Sequence, residues 1–308
     1  MTSNALKPLA IAVLAASTTG LTGCFSSSSS GGDSGSLSLG ITDAPVDSLE
    51  EVNISFTSIT LNHSNGERIE IELNEEQLAE QPIDLLTLQR GNAASLIADE
   101  EVPAGEYEWI RLNVVDNQTF PDMYVVKEDN GGTADLAVQS ARGLQLSSGF
   151  TVPQGGSADF TVDFDLRSAI TDPQGQDGYF LRPSLRLVDN SEVGAIEGTV
   201  FSNVISNQCN ENTSFNGAVY VYEGQNAEPI DYNSKTDKEP LMTAAVEQPE
   251  SGGELNYRAA FLTEGDYTIG YTCDADDPDA DNDLTFTGTR NVTVSANETQ
   301  TEDFDGSQ

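Results

Sequence analysis

Tyr107-Glu108-Trp109-Ile110-Arg111-Leu112-Asn113-Val114 decides the fold class. Apolar and polar residues alternate along it, and a strand's side chains point to opposite faces with period two, so the run reads as a half-buried β-strand. Pro103-Ala104-Gly105 just before it is a turn signal. On strict alternation Tyr107 and Trp109 share one face, with Glu108 and Ile110 on the other. Aromatic rings on one face can stack on a sugar, but the default for a lone Trp in a sandwich is the core.

The same alternation extends in both directions. It recurs in Leu37–Ile41, Val52–Phe56, Ile69–Leu73, Phe160–Leu166 and Leu185–Leu187. Ser64-Asn65-Gly66, Asp129-Asn130-Gly131-Gly132 and Pro153-Gln154-Gly155-Gly156 separate the runs as turns. Helix is expected only between Asn74 and Ile97, in short pieces divided by Pro82 and Gly91. Many short strands with regular turns predict an antiparallel sandwich over residues 37–190. Asp189-Asn190-Ser191-Glu192 reads as a short linker, and a second unit spans 194–305. Its strands fall at Ile196–Val200, Val219–Tyr222, Leu255–Phe261, Tyr267–Tyr271 and Val292–Val294. Tyr220 and Tyr222 share a face there, with packing as the default role. The expected class is all-β: two antiparallel β-sandwich domains, immunoglobulin-like or transthyretin-like, after a signal peptide and a flexible Ser/Gly tether.

Residues 1–23 form that signal. Lys7 supplies the positive region and Leu9–Ala16 an apolar run too short to span a bilayer. Leu21-Thr22-Gly23-Cys24 resembles a bacterial lipobox, which implies a thioether-linked diacylglycerol on Cys24 and cleavage before it; an ordinary signal with an incidental cysteine is the alternative. Two or three acyl chains hold a protein stably on a membrane, at about 0.8 kcal/mol per buried methylene. Residues 24–36 are a Ser/Gly tether, and about 12 such residues reach roughly 20 Å. Phe25 stands where an Asp would resemble an inner-membrane retention signal, which favours the outer membrane.

Thirteen Lys and Arg face 51 Asp and Glu, for a formal charge of −38. Nucleic acid is excluded as a partner, since its binding needs a cationic face. Life in salt explains the acidity, because at about 1 M salt the Debye length is only about 3 Å; a surface built for cations is the alternative. Most of the basic residues are arginine. Cys209 and Cys273 remain once Cys24 carries lipid, an even pair expected to form a disulfide in an oxidising compartment, with two buried thiols as the alternative. A loop of about 65 residues closed in this way restricts the unfolded chain by roughly 4 kcal/mol in the entropic account.

Catalytic signals are sparse. His63 is the one histidine, beside the turn at 64–66, and no Gly-x-Ser-x-Gly elbow accompanies it, so it is expected to be an exposed loop residue. Paired carboxylates for glycoside hydrolysis carry no weight among 51 acids. Asp274, Asp276, Asp277, Asp279, Asp281 and Asp283 form the densest cluster of oxygen ligands. Calcium takes six to eight such oxygens. The spacing is not an EF-hand, since Asp279 stands at the sixth position and Thr285 at the twelfth. Calcium there is one reading and an acidic salt-adapted surface the other. Asp43 is expected to cap a turn stiffened by Pro45.

Ile41-Thr42-Asp43-Ala44-Pro45, Asp84-Leu85-Leu86, Pro103-Ala104-Gly105-Glu106-Tyr107 and Leu185-Arg186-Leu187-Val188-Asp189 together resemble the bacterial lipoprotein family of domain of unknown function 4382, over residues 36–190. That resemblance implies location and fold but no mechanism. Gly198-Thr199-Val200, Gly217–Val221 and Glu264-Gly265-Asp266-Tyr267 are similar to transthyretin-like and carboxypeptidase-regulatory-like sandwiches, which implies a carbohydrate-binding-like fold. The sequence thus reads as a lipid-anchored, non-catalytic envelope module for binding or structural support. Its expected partners are the membrane through Cys24, with a glycan or envelope protein beyond it. An envelope or extracellular polysaccharide hydrolase using paired carboxylates, or a purely architectural spacer, are the alternatives.

A calcium site in the 274–283 loop would raise the unfolding midpoint of the soluble fragment from Gly35 at fixed high salt. Saturation at about 100 times the dissociation constant adds roughly 2.7 kcal/mol. That rise should vanish when Asp279 and Asp281 become Asn; no rise in the parent fragment leaves the aspartates as acidic surface.

Overall fold

A computed structural model describes residues 34–44, 49–128, 131–172, 178–209, 216–232, 239–249, 252–274, 276 and 282–306. The signal, Cys24 and most of the tether lie outside them.

The first part runs β1 (Ser34–Ala44), β2 (Leu49–Ile54), β3 (Phe56–His63), β4 (Arg68–Glu72), helix α1 (Glu75–Ala79), β5 (Ile83–Asp84), a 3-10 turn (Leu85–Leu88), β6 (Ala94–Pro103) and β7 (Gly105–Val114). It continues through β8 (Tyr124–Lys127), β9 (Thr133–Val138), β10 (Leu144–Leu146), β11 (Phe150–Val152), β12 (Ser157–Asp165), α2 (Leu166–Ala169), β13 (Ile170–Thr171), β14 (Tyr179–Leu181) and β15 (Leu185–Asp189). Beyond these follow β16 (Val193–Val200), α3 (Ser202–Gln208), β17 (Ala218–Glu223), β18 (Met242–Ala245), β19 (Leu255–Thr263), β20 (Gly265–Thr272), β21 (Thr287–Val294) and β22 (Thr299–Thr301).

The protein is all-β, with strands ordered β15-β12-β1-β6, β10-β7-β3-β4, β13-β14-β9-β8-β2-β5, β19-β16-β22 and β18-β17-β20-β21. One apolar cluster gathers Leu37, Leu39 and Ile41 of β1 with Ile59, Leu61, Ile110 and Leu112 of the β3/β7 sheet. Edge-to-face contacts between Phe56 and Phe164 and between Phe150 and Phe160 join the facing sheets. A second cluster holds Ile196, Val219, Val221, Tyr257, Ile269 and Tyr271. Ala218, Tyr220 and Tyr222 pack on the other face of β17, against Phe286 and Leu284.

Three features depart from the sequence reading. First, β1 pairs β12 in parallel, from Ser36↔Ser157 to Ala44↔Asp165, and β9/β14 and β16/β22 are parallel too. Such pairs survive where both faces are covered, and β12 is buried continuously from Phe160 to Phe164. Second, helix also occurs at α2 and α3, while Ala94–Ile97 is strand; short capped turns leave little 3.6-residue periodicity to read. Third, Asn190 is no free linker. It accepts from Thr161 Oγ1 at 2.9 Å and donates to Asp159 Oδ1 at 2.9 Å.

Both main hairpins turn on the same device. Tyr107 donates its hydroxyl to Pro103 O at 2.7 Å, and Tyr267 donates to Thr263 O at 2.6 Å, each reaching four residues back across a one-residue turn. Gly105 enters β7 at φ +141°, and a Cβ there would lie 2.5 Å from the His63 ring. Burial raises the Tyr107 hydroxyl to about 12, so it stays a donor at neutral pH. Tyr107→Phe and Tyr267→Phe should each cost about 1 kcal/mol in urea unfolding. A loss near zero in both would show that the corner hydroxyls are not needed.

Candidate functional site

Asp43, Asp163, Arg167 and Asp276 are buried charged side chains, in a part of the fold where β1 contacts β18 and β15 contacts β19. Asp165 ends β12 and caps α2, accepting from Ser168 N at 3.4 Å and Ser168 Oγ at 2.6 Å. That cap aims Arg167 across the seam. Its Nη1 donates to Tyr220 Oη at 3.0 Å and lies 3.6 Å from Asp276 Oδ2, with the two charged side chains only 2% and 1% exposed. Tyr220 donates to the same Asp276 oxygen at 2.7 Å, and the Tyr232 amide donates to it at 2.9 Å. The Tyr232 hydroxyl returns to Asp165, which closes a network between the two parts. Burial lifts the Tyr232 hydroxyl far above its ordinary range, and the Asp165 carboxylate adds to that lift. It therefore acts as a fixed donor.

A second group lies beside it. Arg186 Nε donates to Asp163 Oδ2 at 2.6 Å, and its Nη2 reaches Met242 Sδ at 3.9 Å. Arg90 crosses to Asn256 and Glu247, and Arg258 pairs with Glu197. Thr42, Asp43, Asp163, Thr243, Arg258 and Phe261 line a cavity of about 10 Å³ between these groups, roughly one water in size. Two of its residues, Arg90 at φ +64° and Phe261 at φ +56°, hold the left-handed backbone that non-glycine residues avoid. Gly91 lies tightly under Arg258, where a Cβ would meet its Nε at 3.2 Å.

Two carboxyls here and nearby are raised. Burial pushes Asp163 above its ordinary 3.8, with Arg186 opposing and Asp165 adding to the rise. Burial also raises Asp84, whose Oδ1 accepts the amides of Val52 at 3.0 Å and Leu86 at 3.1 Å. Asp84 is thus spent on capping the 3-10 turn.

The residues singled out from sequence fall into different places. Cys209 and Cys273 are joined by a disulfide, with Cα atoms 5.2 Å apart. Asp277, Asp279 and Asp281 lie outside the described residues, and so does Cys24. Asp276 turns inward to Tyr220, Asp274 accepts the Thr285 amide at 2.7 Å, and Asp283 is exposed. Among the described residues no three His, Cys, Asp or Glu side chains gather closely enough to hold a metal. Asp43 is buried at the end of β1.

His63 is not an exposed loop residue. It ends β3, packs edge-on to Tyr107 at 5.0 Å, and accepts the Asn65 amide on Nδ1 at 3.2 Å, because the Gly105 turn leaves its ring a slot. Trp109 and Tyr107 do not share a face. The ladder pairs Asn62 with Trp109 but His63 with Tyr107, so an extra residue on β7 flips the alternation. Tyr107 goes to the core and Trp109 to the outer face, where Arg68 and Arg111 lie 5.5 Å and 5.1 Å from its ring centre.

Arg167, Arg186, Asp163 and Tyr232 were missed as site residues. The preference for arginine over lysine was the available signal, since a planar, multi-donor cation suits buried pairing.

Residues 34–183 match the family described as Domain of unknown function (DUF4382). No curated protein matches the sequence. Among solved structures the chain is similar to the Bacillus anthracis TIE protein, at 12% identity over 87% of this chain and 33% of that one, with a TM-score of 0.20. It is also similar to the minor pilin GBS52 of Streptococcus agalactiae (12% identity, 87% of this chain, 94% of that one, TM-score 0.19). A third likeness is to BcpA, the major pilin subunit of Bacillus cereus (11% identity, 89% and 100%, TM-score 0.22). The chain spans about a third of the TIE protein's length. Likenesses at these TM-scores carry no argument about function.

Two measurements test the seam. Asp276→Asn leaves Arg167 buried without its countercharge and should cost about 3–5 kcal/mol in urea unfolding, whereas the double change Arg167→Met, Asp276→Leu should recover most of that. Equal losses in the single and double variants would show that the charge pairing is immaterial. For Asp163, the folded state holds the proton more tightly than the unfolded chain. Its contribution to stability therefore falls as pH rises from 3.8 through the raised folded value. Asp163→Asn removes that slope, so its stability relative to the parent should climb as pH rises above 3.8, on top of an offset from the unpaired Arg186. Parallel pH profiles would contradict the raised carboxyl.

Proposed function

We propose that this protein is a lipid-anchored, non-catalytic module of the bacterial envelope, in which two β units are locked together to present a surface. The observation that carries the reading is the Arg167–Tyr220–Asp276–Tyr232–Asp165 network, a water-excluded clasp that fixes one unit on the other. Rigid fixing suits a scaffold or binding element, whose function lies on its outer faces. His63 supports the same reading, since its ring is occupied with packing against Tyr107 and with the Asn65 amide.

The hydrolase reading asks for a raised carboxyl facing a sugar-sized space with a second acid about 5–10 Å away. Asp163 is raised but faces a cavity of about 10 Å³, and Asp84 is raised but bound to two backbone amides. Both arrangements favour structure over turnover.

In a Gram-negative host grown with an alkyne-tagged fatty acid, the full chain should take up label and fractionate with the outer membrane. Cys24→Ala should abolish the label. Labelling that survives the substitution, or a chain recovered wholly in the soluble fraction, would overturn the anchor. The locked arrangement predicts one cooperative unfolding transition by tryptophan fluorescence and far-UV circular dichroism. Two separated transitions would show independent units.

A further inference from the structure

We infer that the outer face of the β10-β7-β3-β4 sheet is a binding platform for a neutral, hydroxyl-rich polysaccharide, with Trp109 as its anchor. This names the ligand class for the surface-presenting reading above and rests on it. Trp109 is the chain's single tryptophan. The extra residue on β7 sets it on a face otherwise made of polar side chains, away from the core that holds Tyr107, Ile110 and Leu112.

The two guanidiniums beside it have no carboxylate partner among the described residues, a state they share with Arg142 and Arg182 but not with the other five arginines. Arg90, Arg167, Arg186, Arg258 and Arg290 each pair with a carboxylate. Arg68 and Arg111 form no ion pair among the described residues and lie over the indole instead. A guanidinium held over an aromatic ring still has N–H groups to offer to acceptors. One edge of Arg111 is held by Gln145 Oε1 at 2.6 Å, which fixes the fork in place.

The remaining groups set the chemistry of the occupant. Asn113 spends both side-chain N–H groups on Ser58 Oγ at 2.9 Å and Thr60 Oγ1 at 2.7 Å, which turns its carbonyl oxygen into the available acceptor. Glu70 and Glu108 are held by Ser58 and Asn62, and each carboxylate keeps further acceptor capacity. Fixed donors beside fixed acceptors match hydroxyl groups, which do both. The acidic groups on this face, together with the chain's −38 charge, repel polyanions. Four strands span about 14 Å, room for several sugar rings laid across them.

Because Trp109 is the only tryptophan, the emission of the full-length chain in detergent micelles reports this face alone. The titrants are laminarin and a neutral mannan, with alginate and polyglutamate as polyanions. We expect a saturable change in emission with at least one neutral glycan. Arg111→Lys and Arg68→Ala, which retain the reporter, should each weaken it by about tenfold or more, with the urea midpoint unchanged. No saturable change with either neutral glycan overturns the inference. So does saturation by alginate or polyglutamate alone, or binding that both arginine variants retain. If the chain still carries lipid on Cys24 and unfolds in one transition, such a failure removes the ligand assignment and leaves the anchored-module reading standing.

Discussion

A guanidinium closed off from water must have its charge answered on the spot, and the rest of this structure follows from how Arg167 meets that demand. Its countercharge, Asp276, comes from a segment more than a hundred residues away, and both side chains are all but inaccessible. An unpaired charge there would cost several kcal/mol, so each partner is tolerable only when the other arrives. The pair therefore acts as a condition on assembly. The later strands pack with Asp276 beneath Arg167, or a buried charge is stranded. Tyr220 and the Tyr232 amide share the same carboxylate oxygen, which narrows the acceptable geometry further.

Delivery of Asp276 depends in turn on a covalent staple. Cys273 ends three residues before it and is bonded to Cys209 at the end of α3, so the strand leaving β20 starts its path to the seam from a fixed point. Tyr271 packs its hydroxyl within 3.2 Å of both sulfurs and donates to Asn216 O at 2.8 Å. The apolar cluster around Val219 and Tyr271 gathers fewer buried residues than the one around Leu39 and Ile110, and a cross-link is the usual compensation where the core alone is modest. Staple and clasp thus lie in series along one stretch of chain.

Legibility in the sequence followed the range of the interaction. Alternation located nearly every long strand because burial of one face is a local, period-two property. The corner at Pro103–Tyr107 was visible as a turn signal, and the cysteine pair as an even count. The parallel partnership of β1 with β12 was not visible, because no local pattern says which strand lies beside which. Trp109 was misplaced for a different reason. A single extra residue on β7 reverses the face of everything before it, and strict alternation cannot register an insertion that lies in the pairing rather than in the pattern. The inward arginines were equally hidden, since nothing local marks Arg167 as buried or Arg186 as paired with Asp163.

The placement of arginine also bears on how so acidic a chain stays folded. A net charge of −38 works against compaction, and salt screens it only where water reaches. Around Arg167 and Asp276, only 2% and 1% exposed, water and salt are excluded, so screening must come from the protein itself. Arg186 answers Asp163 on the neighbouring strand, while Arg90 with Glu247 and Arg258 with Glu197 are partly exposed pairs that salt still reaches. Had Arg167 and Arg186 been placed on the surface instead, Asp276 and Asp163 would each be a buried carboxylate without its countercharge. Spending these two arginines on buried carboxylates leaves the outer faces acidic, with Arg68 and Arg111 beside Trp109 among the cations that the clasp does not use.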